Sequence, residues 1–488
     1  MHSYDEDLTQ QVMDHLLHRL RLDPPPLGRL GDHQELTLAL KDTIGAAPRD
    51  PADVLRTYTE DLEPTVVSCD HPAFLAFIPG APTKAAALFD MVVSASSLHG
   101  VSWLEASGAV AAENSVLRLF ADLAGLPAEA GGCFVSGGSA GNLSALVVAR
   151  DTGRARLGLD ERAPVRIAVS DQVHSSVGNT LRILGVEALV VPTTDHRLTG
   201  EALATALDAA QRDGGAPVVA VVATAGTTNA GIIDDLAGVA GQTRARDLWL
   251  HIDAAYGGAA LFVPELRERL HGIEHADSLV VDPHKWMFAP FDCGALLYRD
   301  PRTARAVHTQ DASYLDAIHG DDDGGEWNPS DYAYHLTRRP RGLPMWFSLA
   351  VHGTDAYRDA VAHGAAIARR TARLVEQYDG LELLREPELT VVLIRRTGWQ
   401  PEDYYAWSKE LLASGVAFIT PSVWEGETVA RLAFLHPGIT EETVHAILDS
   451  LVKDDKDDKD DKTVNTDRAD TDGESGSAGR IPAAVSAP

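Results

Sequence analysis

The chain has 488 residues, 45% hydrophobic and 23% charged, which is typical of a globular protein with more than one domain. Its formal net charge is −29, a field that repels phosphate backbones and anionic lipid, so we expect neither a nucleic-acid partner nor a membrane partner. No apolar run approaches a membrane span, and the acidic N-terminus lacks the features of a secretory signal. The three cysteines are widely spaced and form no disulfide framework, which favours a cytoplasmic location.

The first 75 residues are predicted to form amphipathic helices, because apolar residues recur at helical spacing over residues 10–22. Prolines at positions 24–26 interrupt this pattern. We therefore expect an N-terminal helical segment over residues 1–78.

Strands and helices then alternate over residues 130–300. Short apolar runs predict strands at residues 132–135, 165–169, 188–191, 218–223, 248–252, 278–281 and 294–298. Unbroken apolar strands separated by helices indicate an α/β fold, in which helices cover both faces of a mostly parallel sheet. We expect this large domain to span residues 79–345.

The rest of the chain predicts a smaller α+β domain over residues 346–452. A long helix is expected at 346–378 and short strands at 390–395 and 429–434, followed by a final helix. Residues 453–488 begin with a Lys-Asp-Asp repeat and end in a Gly-, Ser- and Pro-rich stretch. Such a segment has too few apolar residues for a core, so we expect a disordered acidic tail.

A glycine- and serine-rich turn follows the first predicted strand, at residues 135–143 (Val-Ser-Gly-Gly-Ser-Ala-Gly-Asn-Leu). A turn that opens a helix presents free backbone N–H groups and the positive end of the helix dipole, and Ser139 adds a hydroxyl. The pattern favours an anion site that is neither a Walker loop nor a dinucleotide fingerprint. The alternative is a plain helix N-cap with a flexible turn.

Two charged residues follow other predicted strands. Asp253 lies where a buried strand runs into a loop of small residues, and a carboxylate there requires a partner such as a cationic ring nitrogen. Lys285 lies past an apolar strand, between His284 and Trp286, and apolar surroundings favour the reactive amine of a Schiff-base lysine. The alternatives are an Asp that caps a backbone turn and an ordinary surface lysine.

Two further features lie at strand ends. His174 belongs to residues 170–176, and Thr224 opens a tight turn at residues 224–228. Each by itself is more typical of a structural residue. All five features nevertheless fall at the carboxyl ends of predicted parallel strands, where open α/β sheets bind ligands, so we expect one shared site.

The order and spacing of these blocks resemble the pyridoxal-phosphate (PLP)-dependent group II amino acid decarboxylases, which include the aromatic-L-amino-acid, tyrosine, histidine and glutamate decarboxylases. The resemblance covers roughly residues 60–450. Its blocks lie at residues 71–79, 135–143, 170–176, 251–256, 282–286, 291–294 and 338–347. It implies the PLP-dependent transferase fold of type I, like that of aspartate aminotransferase, and a homodimer with active sites shared between subunits.

The resemblance also implies catalytic roles. Lys285 resembles the lysine that forms the internal aldimine, Asp253 the carboxylate that pairs with the pyridine nitrogen, and His174 the histidine stacked on the cofactor ring. Tyr332 resembles the mobile-loop tyrosine that reaches the partner subunit's site and protonates the substrate carbon, and Tyr334 competes for that role.

Five positions match residues that contact the cofactor in that family. Gly138 and Ser139 match phosphate-cradling positions, with His284 nearby. Thr224 and Ala255 match positions that contact the ring.

Three departures from the family concern phosphate and substrate. Asp282 stands where the aromatic decarboxylases usually have Asn, and a carboxylate there would repel phosphate unless protonated or turned away. Gly80 stands where they commonly have a hydroxyl residue near the substrate. The loop insert at residues 320–326 is unusually acidic.

The predicted function is decarboxylation of an L-amino acid to the amine, with PLP delocalising the charge left when CO2 departs. Apolar and aromatic residues near the resembling segments favour an aromatic substrate, with core packing as the alternative. These residues are Phe74, Phe77, Ile78 and Trp103. No cation for an acidic substrate can be assigned to the pocket, although Arg338 and Arg339 lie near the mobile loop.

Other functions remain open. The same cofactor serves an aldehyde synthase, a transaminase-like enzyme, or a decarboxylase of an aspartate-, glutamate- or branched-chain-type substrate. A nucleotide-binding enzyme is disfavoured by its missing fingerprints, and a scaffold has no need of Lys285, Asp253, His174 and a loop tyrosine together. The histidines show no ligand-type spacing, so we expect no metal.

Overall fold

A computed structural model describes residues 2–310 and 326–453 of the chain. Most of the acidic loop insert and the tail after residue 453 lie outside these ranges. The N-terminal segment forms the expected helices α1 (Glu6–Arg21), α2 (His33–Ala39) and α3 (Pro51–Arg56). Asp residues precede all three helices and accept hydrogen bonds from backbone N–H groups of the first turn, which is why each helix begins where it does.

The predicted α/β fold is confirmed by a large sheet, in which the described residues contribute strands in the order β1-β7-β6-β5-β4-β2-β3. The strands are β1 (Gly131–Val135), β2 (Arg166–Ser170), β3 (Glu187–Val191), β4 (Val218–Thr224), β5 (Trp249–Asp253), β6 (Ser278–Val281) and β7 (Gly294–Tyr298). Neighbours from β3 to β6 pair in parallel, whereas β7 pairs antiparallel with β1 and β6. The central strands are buried on both faces, which explains their unbroken apolar runs.

Helices connect these strands and pack on the sheet. They are α4 (Lys84–Ala95), α5 (Trp103–Leu123), α6 (Gly138–Arg156), α7 (Ser175–Leu184), α8 (Gly200–Arg212), α9 (Leu236–Ala245), α10 (Pro264–Arg267) and α11 (Pro301–His308). Helix α6 contacts β1, β4, β5, β6 and β7, so it crosses the middle of the sheet. Its first turn therefore lies beside the carboxyl ends of the central strands.

A smaller antiparallel sheet follows, in the order β10-β11-β9-β8. Its elements are α12 (Leu343–Val375), β8 (Leu381–Leu383), β9 (Val391–Arg396), α13 (Pro401–Ala413), β10 (Ser422–Trp424), β11 (Glu427–Ala433) and α14 (Glu441–Val452). The prediction missed α13, which is capped by Asp403 accepting from the Gln400 N–H at 2.7 Å. It also missed β8 and β10, which are too short to show a period.

The chain before α4 joins this smaller sheet. The Leu75 N–H donates to the Phe418 carbonyl and the Ala433 N–H donates to the Leu75 carbonyl, each at 2.9 Å. Beyond this pairing the chain runs on to Gly80, whose N–H donates to the His284 carbonyl at 3.1 Å. The segment thus bridges the small sheet and the Lys285 loop. Across the described ranges, no helix is both long and apolar enough to cross a bilayer.

Candidate active site

The predicted cofactor-binding residues converge on one cavity of about 360 Å³. It lies where α6 begins and where β4, β5 and β6 end. The predicted residues that line it are Gly138, Ser139, His174, Thr224, Asp253, Ala255, His284 and Lys285. Residues separated by almost 150 positions in sequence therefore form a single site.

The first turn of α6 forms an anion cradle in this cavity. Gly137 has φ +155°, and a Cβ added there would lie 3.1 Å from Cε1 of His284. A Cβ on Gly138 would lie 3.2 Å from that of Ala255. Because side chains are absent at these positions, a ligand can approach the N–H groups that a helix leaves unpaired at its first turn.

Asp253 lies at the end of β5 and is 6% exposed. Its Oδ1 accepts from the Ala255 N–H at 3.1 Å and its Oδ2 accepts from Nδ2 of Asn142 at 2.9 Å. Asn142 was not predicted as a site residue, although it belongs to the glycine- and serine-rich block. A charged oxygen with these two partners retains lone pairs for a cationic ligand.

His174 caps α7 and faces the same cavity. Its Nδ1 lies 2.8 Å from Oγ of Ser176 and accepts from the Ser176 N–H at 3.2 Å. The ring is therefore held by its own turn, which leaves the other nitrogen for a ligand.

The surroundings of Lys285 differ from the apolar setting that the sequence predicts. Its Nζ lies 3.0 Å from Oδ2 of Asp282, which is buried. Trp286 is fully buried and packs near Tyr256, with ring centroids 5.8 Å apart. The neighbouring aromatic thus stabilises the core, while a carboxylate holds the lysine amine. Burial lowers the pKa of His284, whose Nδ1 lies 2.6 Å from the Cys293 carbonyl oxygen and 3.1 Å from the Cys293 backbone nitrogen.

A buried hydroxyl at the end of β4 tests whether the cavity fits PLP. Thr224 Oγ1 is shielded from water and has no hydrogen-bond partner among the described residues. Orphaned buried hydroxyls are rare unless a ligand satisfies them. The anion cradle, this hydroxyl, the Asp253 carboxylate and the Lys285 amine match the phosphate, ring and aldehyde of PLP.

A second pocket adjoins the first, and the two share His174, Thr228, His284 and Lys285. Of the four residues expected to form an apolar surface, Phe74, Phe77 and Ile78 line it. Trp103 does not line this pocket. It is the first residue of α5, where its backbone N–H donates to Oδ1 of Asn328. Phe77 has φ +53°, an uncommon conformation for a bulky residue and one often found at functional sites.

Arg431 supplies the pocket cation that the sequence analysis could not place. It is 5% exposed and its guanidinium donates to the carbonyls of Asn229, Phe77 and Thr228. Burial lowers its pKa to about 10, so it is charged at neutral pH. The available signal was a charged residue within the buried apolar part of β11, residues 429–433. The earlier candidates are used elsewhere: Arg338 pairs with Glu113 and Arg339 pairs with Asp90.

Gly80 is required by the Lys285 loop. A Cβ at this position would lie 1.6 Å from the Lys285 carbonyl oxygen, so any side chain would displace one of the two segments. Glycine therefore stands here, in place of the hydroxyl residue of the aromatic decarboxylases, where the backbone of residue 80 closely approaches the backbone of Lys285.

The two tyrosines lie away from the cavity of their own chain. Tyr332 is 4% exposed and its ring stacks on Trp327 with centroids 4.3 Å apart, whereas Tyr334 is 50% exposed. Neither lines the Lys285 cavity or the adjoining pocket. Their predicted role concerns a partner subunit's site, so the assignment of Tyr332 stays a prediction. Among the residues that the structure describes, no cluster of His, Cys, Asp and Glu is arranged to hold a metal ion.

Comparison with known proteins agrees with this geometry. Residues 35–396 match the family described as "Pyridoxal-dependent decarboxylase conserved domain". The chain is 31% identical over 448 residues to an aromatic-L-amino-acid decarboxylase of Bacillus atrophaeus, covering 90% of this chain and 92% of that one. It is 33% identical over 393 residues to an L-2,4-diaminobutyrate decarboxylase of Rhizobium meliloti, covering 78% and 77%. The fold superposes with a TM-score of 0.84 on Oryza sativa TDC, solved with PLP and tryptamine, at 24% identity and with coverage of 92% and 99%.

Proposed function

The chain belongs to the pyridoxal-dependent decarboxylase family, and from that premise we propose that its substrate is an aromatic L-amino acid, which it converts to the amine and CO2. One observation carries the choice of substrate. The pocket beside Lys285 is walled by aromatic and apolar side chains, and no carboxylate is among its described lining residues. The apolar part of this wall consists of Phe74, Phe77, Ile78, Pro79 and Phe291.

The lining argues against the other substrate classes. The second ammonium of a diaminobutyrate-type substrate requires a carboxylate partner, because a buried unpaired charge is strongly unfavourable. The side chain of a glutamate- or aspartate-type substrate requires a cation of its own. Arg431 has three guanidinium N–H groups bonded to backbone carbonyls, which leaves two for one carboxylate. We assign that place to the α-carboxylate.

When bound, PLP supplies the electron sink for the charge that departing CO2 leaves behind. We assign its phosphate to Gly138, Ser139 and His284. Asp253 would accept a hydrogen bond from the protonated ring nitrogen. The ring contacts are assigned to Thr224, Ala255 and His174 in the same cavity.

The chain's own groups then position and protonate the substrate. Lys285 would hold PLP through Nζ. Arg431 would bind the α-carboxylate of the substrate and orient it beside Lys285. Tyr332 gives the proton of its hydroxyl to the α-carbon after CO2 has left. Burial raises the pKa of Tyr332, so this proton is present at any working pH.

We also propose a homodimer in which Tyr332 acts in the partner subunit's site. Apolar side chains on α1 are exposed in the single chain and would be covered by the partner. They are Leu8, Val12, Met13 and Leu17. A cytoplasmic location and the division into segments 1–78, 79–345 and 346–452 are likewise proposals. The free thiols of Cys69, Cys133 and Cys293 suit a reducing compartment.

The test is incubation of the purified full-length protein and PLP with a panel of aromatic, acidic, branched-chain and diamino L-amino acids. CO2, amine, aldehyde and ammonia are measured together. We expect amine and CO2 in equal amounts from aromatic substrates. Aldehyde with ammonia would make the protein an aldehyde synthase, and turnover confined to diamino or acidic substrates would refute the substrate class. The Lys285→Ala protein is the matched inactive control.

A further inference from the structure

A continuous chain of hydrogen bonds starts at Asp253 and leads from the cavity into the core; of its members, Asn142 still lines the cavity. Trp249 Nε1 donates to Ser278 Oγ at 2.8 Å, and Ser278 Oγ lies 2.8 Å from Nδ1 of His251. His251 Nε2 lies 2.9 Å from Oδ1 of Asn142, whose Nδ2 donates to Asp253 at 2.9 Å. His251, Asn142 and Ser278 are fully or almost fully buried. The chain joins α6, β5 and β6.

The chemistry of its ends makes this chain run in one direction. At one end an indole N–H can only donate, so Ser278 Oγ accepts from Trp249. At the other end a carboxylate accepts, so Asn142 donates through Nδ2 to Asp253 and turns its Oδ1 towards Nε2 of His251. Burial lowers the pKa of His251 to about 4, against the opposing effect of Asp253, so the imidazole is neutral at working pH. Because an amide oxygen only accepts, the proton of the neutral ring is on Nε2 and Nδ1 accepts from the Ser278 hydroxyl. The bond from Nε2 to Oδ1 holds the Asn142 amide with its N–H group towards the carboxylate.

A branch of the same chain reaches the other cofactor residue. Asn142 Nδ2 also donates to Ser176 Oγ at 3.1 Å, and that hydroxyl lies 2.8 Å from Nδ1 of His174. Ser176 Oγ accepts from Asn142, while Nδ1 of His174 accepts from the Ser176 backbone N–H at 3.2 Å. This places the proton of a neutral His174 on Nε2.

We propose that Asn142, His251 and Ser278 are positioning residues that fix the orientation of the Asp253 carboxylate towards the cofactor ring nitrogen and support the Ser176 turn beside His174. The inference rests on the proposed pairing of Asp253 with that nitrogen. Each of the three acts through Asp253 or through the Ser176 turn; Asn142 also lines the cofactor cavity, whereas His251 and Ser278 are not among its lining residues.

A merely structural role predicts a different pattern. If the network only satisfied buried polar groups, its loss would weaken PLP binding by the same factor whatever residue stood at position 253. If it acts through the Asp253 charge, its loss matters only while that charge is present. A double-mutant cycle separates the two cases.

The cycle compares Asn142→Leu, Asp253→Asn and the double variant, with PLP affinity measured by equilibrium dialysis of the full chain. We expect about a tenfold loss for each single variant, since a hydrogen bond to a charged group is removed or its charge is lost. The double variant should be no weaker than Asp253→Asn. Multiplied losses would overturn the positioning role while leaving the Asp253 pairing intact. If Asp253→Asn by itself caused no loss of PLP affinity, both the positioning role and the pairing of Asp253 with the ring nitrogen would be overturned.

The direction of the chain is tested independently of activity by NMR of ¹⁵N-histidine-labelled protein. His251 should be the Nε2–H tautomer in the parent, and Ser278→Ala should introduce the Nδ1–H form. Thr243→Val removes a buried hydroxyl that bonds only within α9 and should leave the spectrum of His251 unchanged. An Nδ1–H tautomer in the parent, or no change in Ser278→Ala, would overturn the proposed direction.

Discussion

The amine of Lys285 lies 3.0 Å from the carboxylate of Asp282, and that carboxylate also borders the anion cradle. A Cβ added to Gly138 would lie 3.0 Å from the same oxygen of Asp282, so the negative charge is beside the place assigned to phosphate. The other oxygen of Asp282 is buried without a hydrogen-bond partner in the described part of the chain. The Lys285 amine pairs with the oxygen that faces the cradle and so partly offsets its negative charge there.

Replacing this carboxylate by an amide should strengthen phosphate binding. Asp282→Asn keeps the shape, removes one negative charge and adds a donor, so we expect about tenfold tighter binding of PLP and of inorganic phosphate. Titration calorimetry of the protein with each ligand measures both affinities. The control Asp292→Asn changes a charge that pairs with Arg341 outside the cavity. Unchanged or weaker phosphate binding in Asp282→Asn would mean that Asp282 serves the lysine alone.

Replacing Arg431 should weaken binding of the substrate more than binding of the cofactor. Arg431→Lys retains a positive charge but loses the planar fork that reaches three carbonyls and a carboxylate together. We expect KM for an aromatic amino acid to rise about tenfold or more, since a charge-assisted bond is lost, while PLP affinity changes little. Steady-state kinetics and dialysis measure the two. A loss of PLP affinity equal to the loss in kcat/KM would contradict a substrate role.

The tyrosine pair distinguishes the proton donor. Tyr332→Phe should lower amine release about 100-fold or more, the usual contribution of a positioned proton donor, and should divert product towards aldehyde. Tyr334→Phe should retain most of the amine release, because only its neighbour is assigned the proton. Product analysis under air measures amine and aldehyde in both variants. Parent-like amine release by Tyr332→Phe, with loss in Tyr334→Phe, would transfer the role to Tyr334.

His251 should make the native state sensitive to acid. Burial lowers its pKa from 6.5 to about 4, so between these values the unfolded chain binds a proton that the folded chain does not. Stability is therefore fully present above pH 6.5 and falls as the pH is lowered towards 4. We expect His251→Gln, although less stable throughout, to show a shallower fall in Tm between pH 7 and pH 5.

Thermal unfolding monitored by circular dichroism at several pH values measures that slope. The control is His352→Gln, because His352 is exposed on α12. A slope in His251→Gln as steep as in the parent would assign the acid sensitivity to other groups.

The exposed apolar face of α1 should hold the proposed dimer together. Charges placed on it, as in the double variant Leu8→Glu/Val12→Glu, should shift the protein to a monomer because desolvating an unpaired carboxylate at an interface is unfavourable. Sedimentation equilibrium measures the mass, and activity should fall with the dimer fraction. Gln10→Lys, at an exposed polar position of the same helix, is the matched control. A dimeric Glu variant would place the interface elsewhere.

The local pattern of apolar residues was sufficient to predict much of the fold. The strand that ends at Thr224 and the strand that ends at Asp253 were predictable, because a strand buried on both faces is an unbroken apolar run. Helix α13 and the short strands β8 and β10 carry weaker local signals and were missed. Trp103 was misplaced, since aromatic character alone does not say which cavity a side chain faces.

The sequence by itself determined the family, the cofactor and the residues at the strand ends, because those residues stand in short blocks with the spacing of a known site. Only the tertiary structure decided that Arg431 is the pocket cation, that Lys285 pairs with Asp282, and that a buried chain of hydrogen bonds leads from Asp253 into the core. The contacts of Arg431 and of Asn142 join elements far apart in the chain, and the Lys285–Asp282 pair depends on the conformation of the loop after β6. Which residues meet in the long-range contacts depends on the order of the strands in the sheet and on where helices cross it, and neither can be predicted from local periodicity.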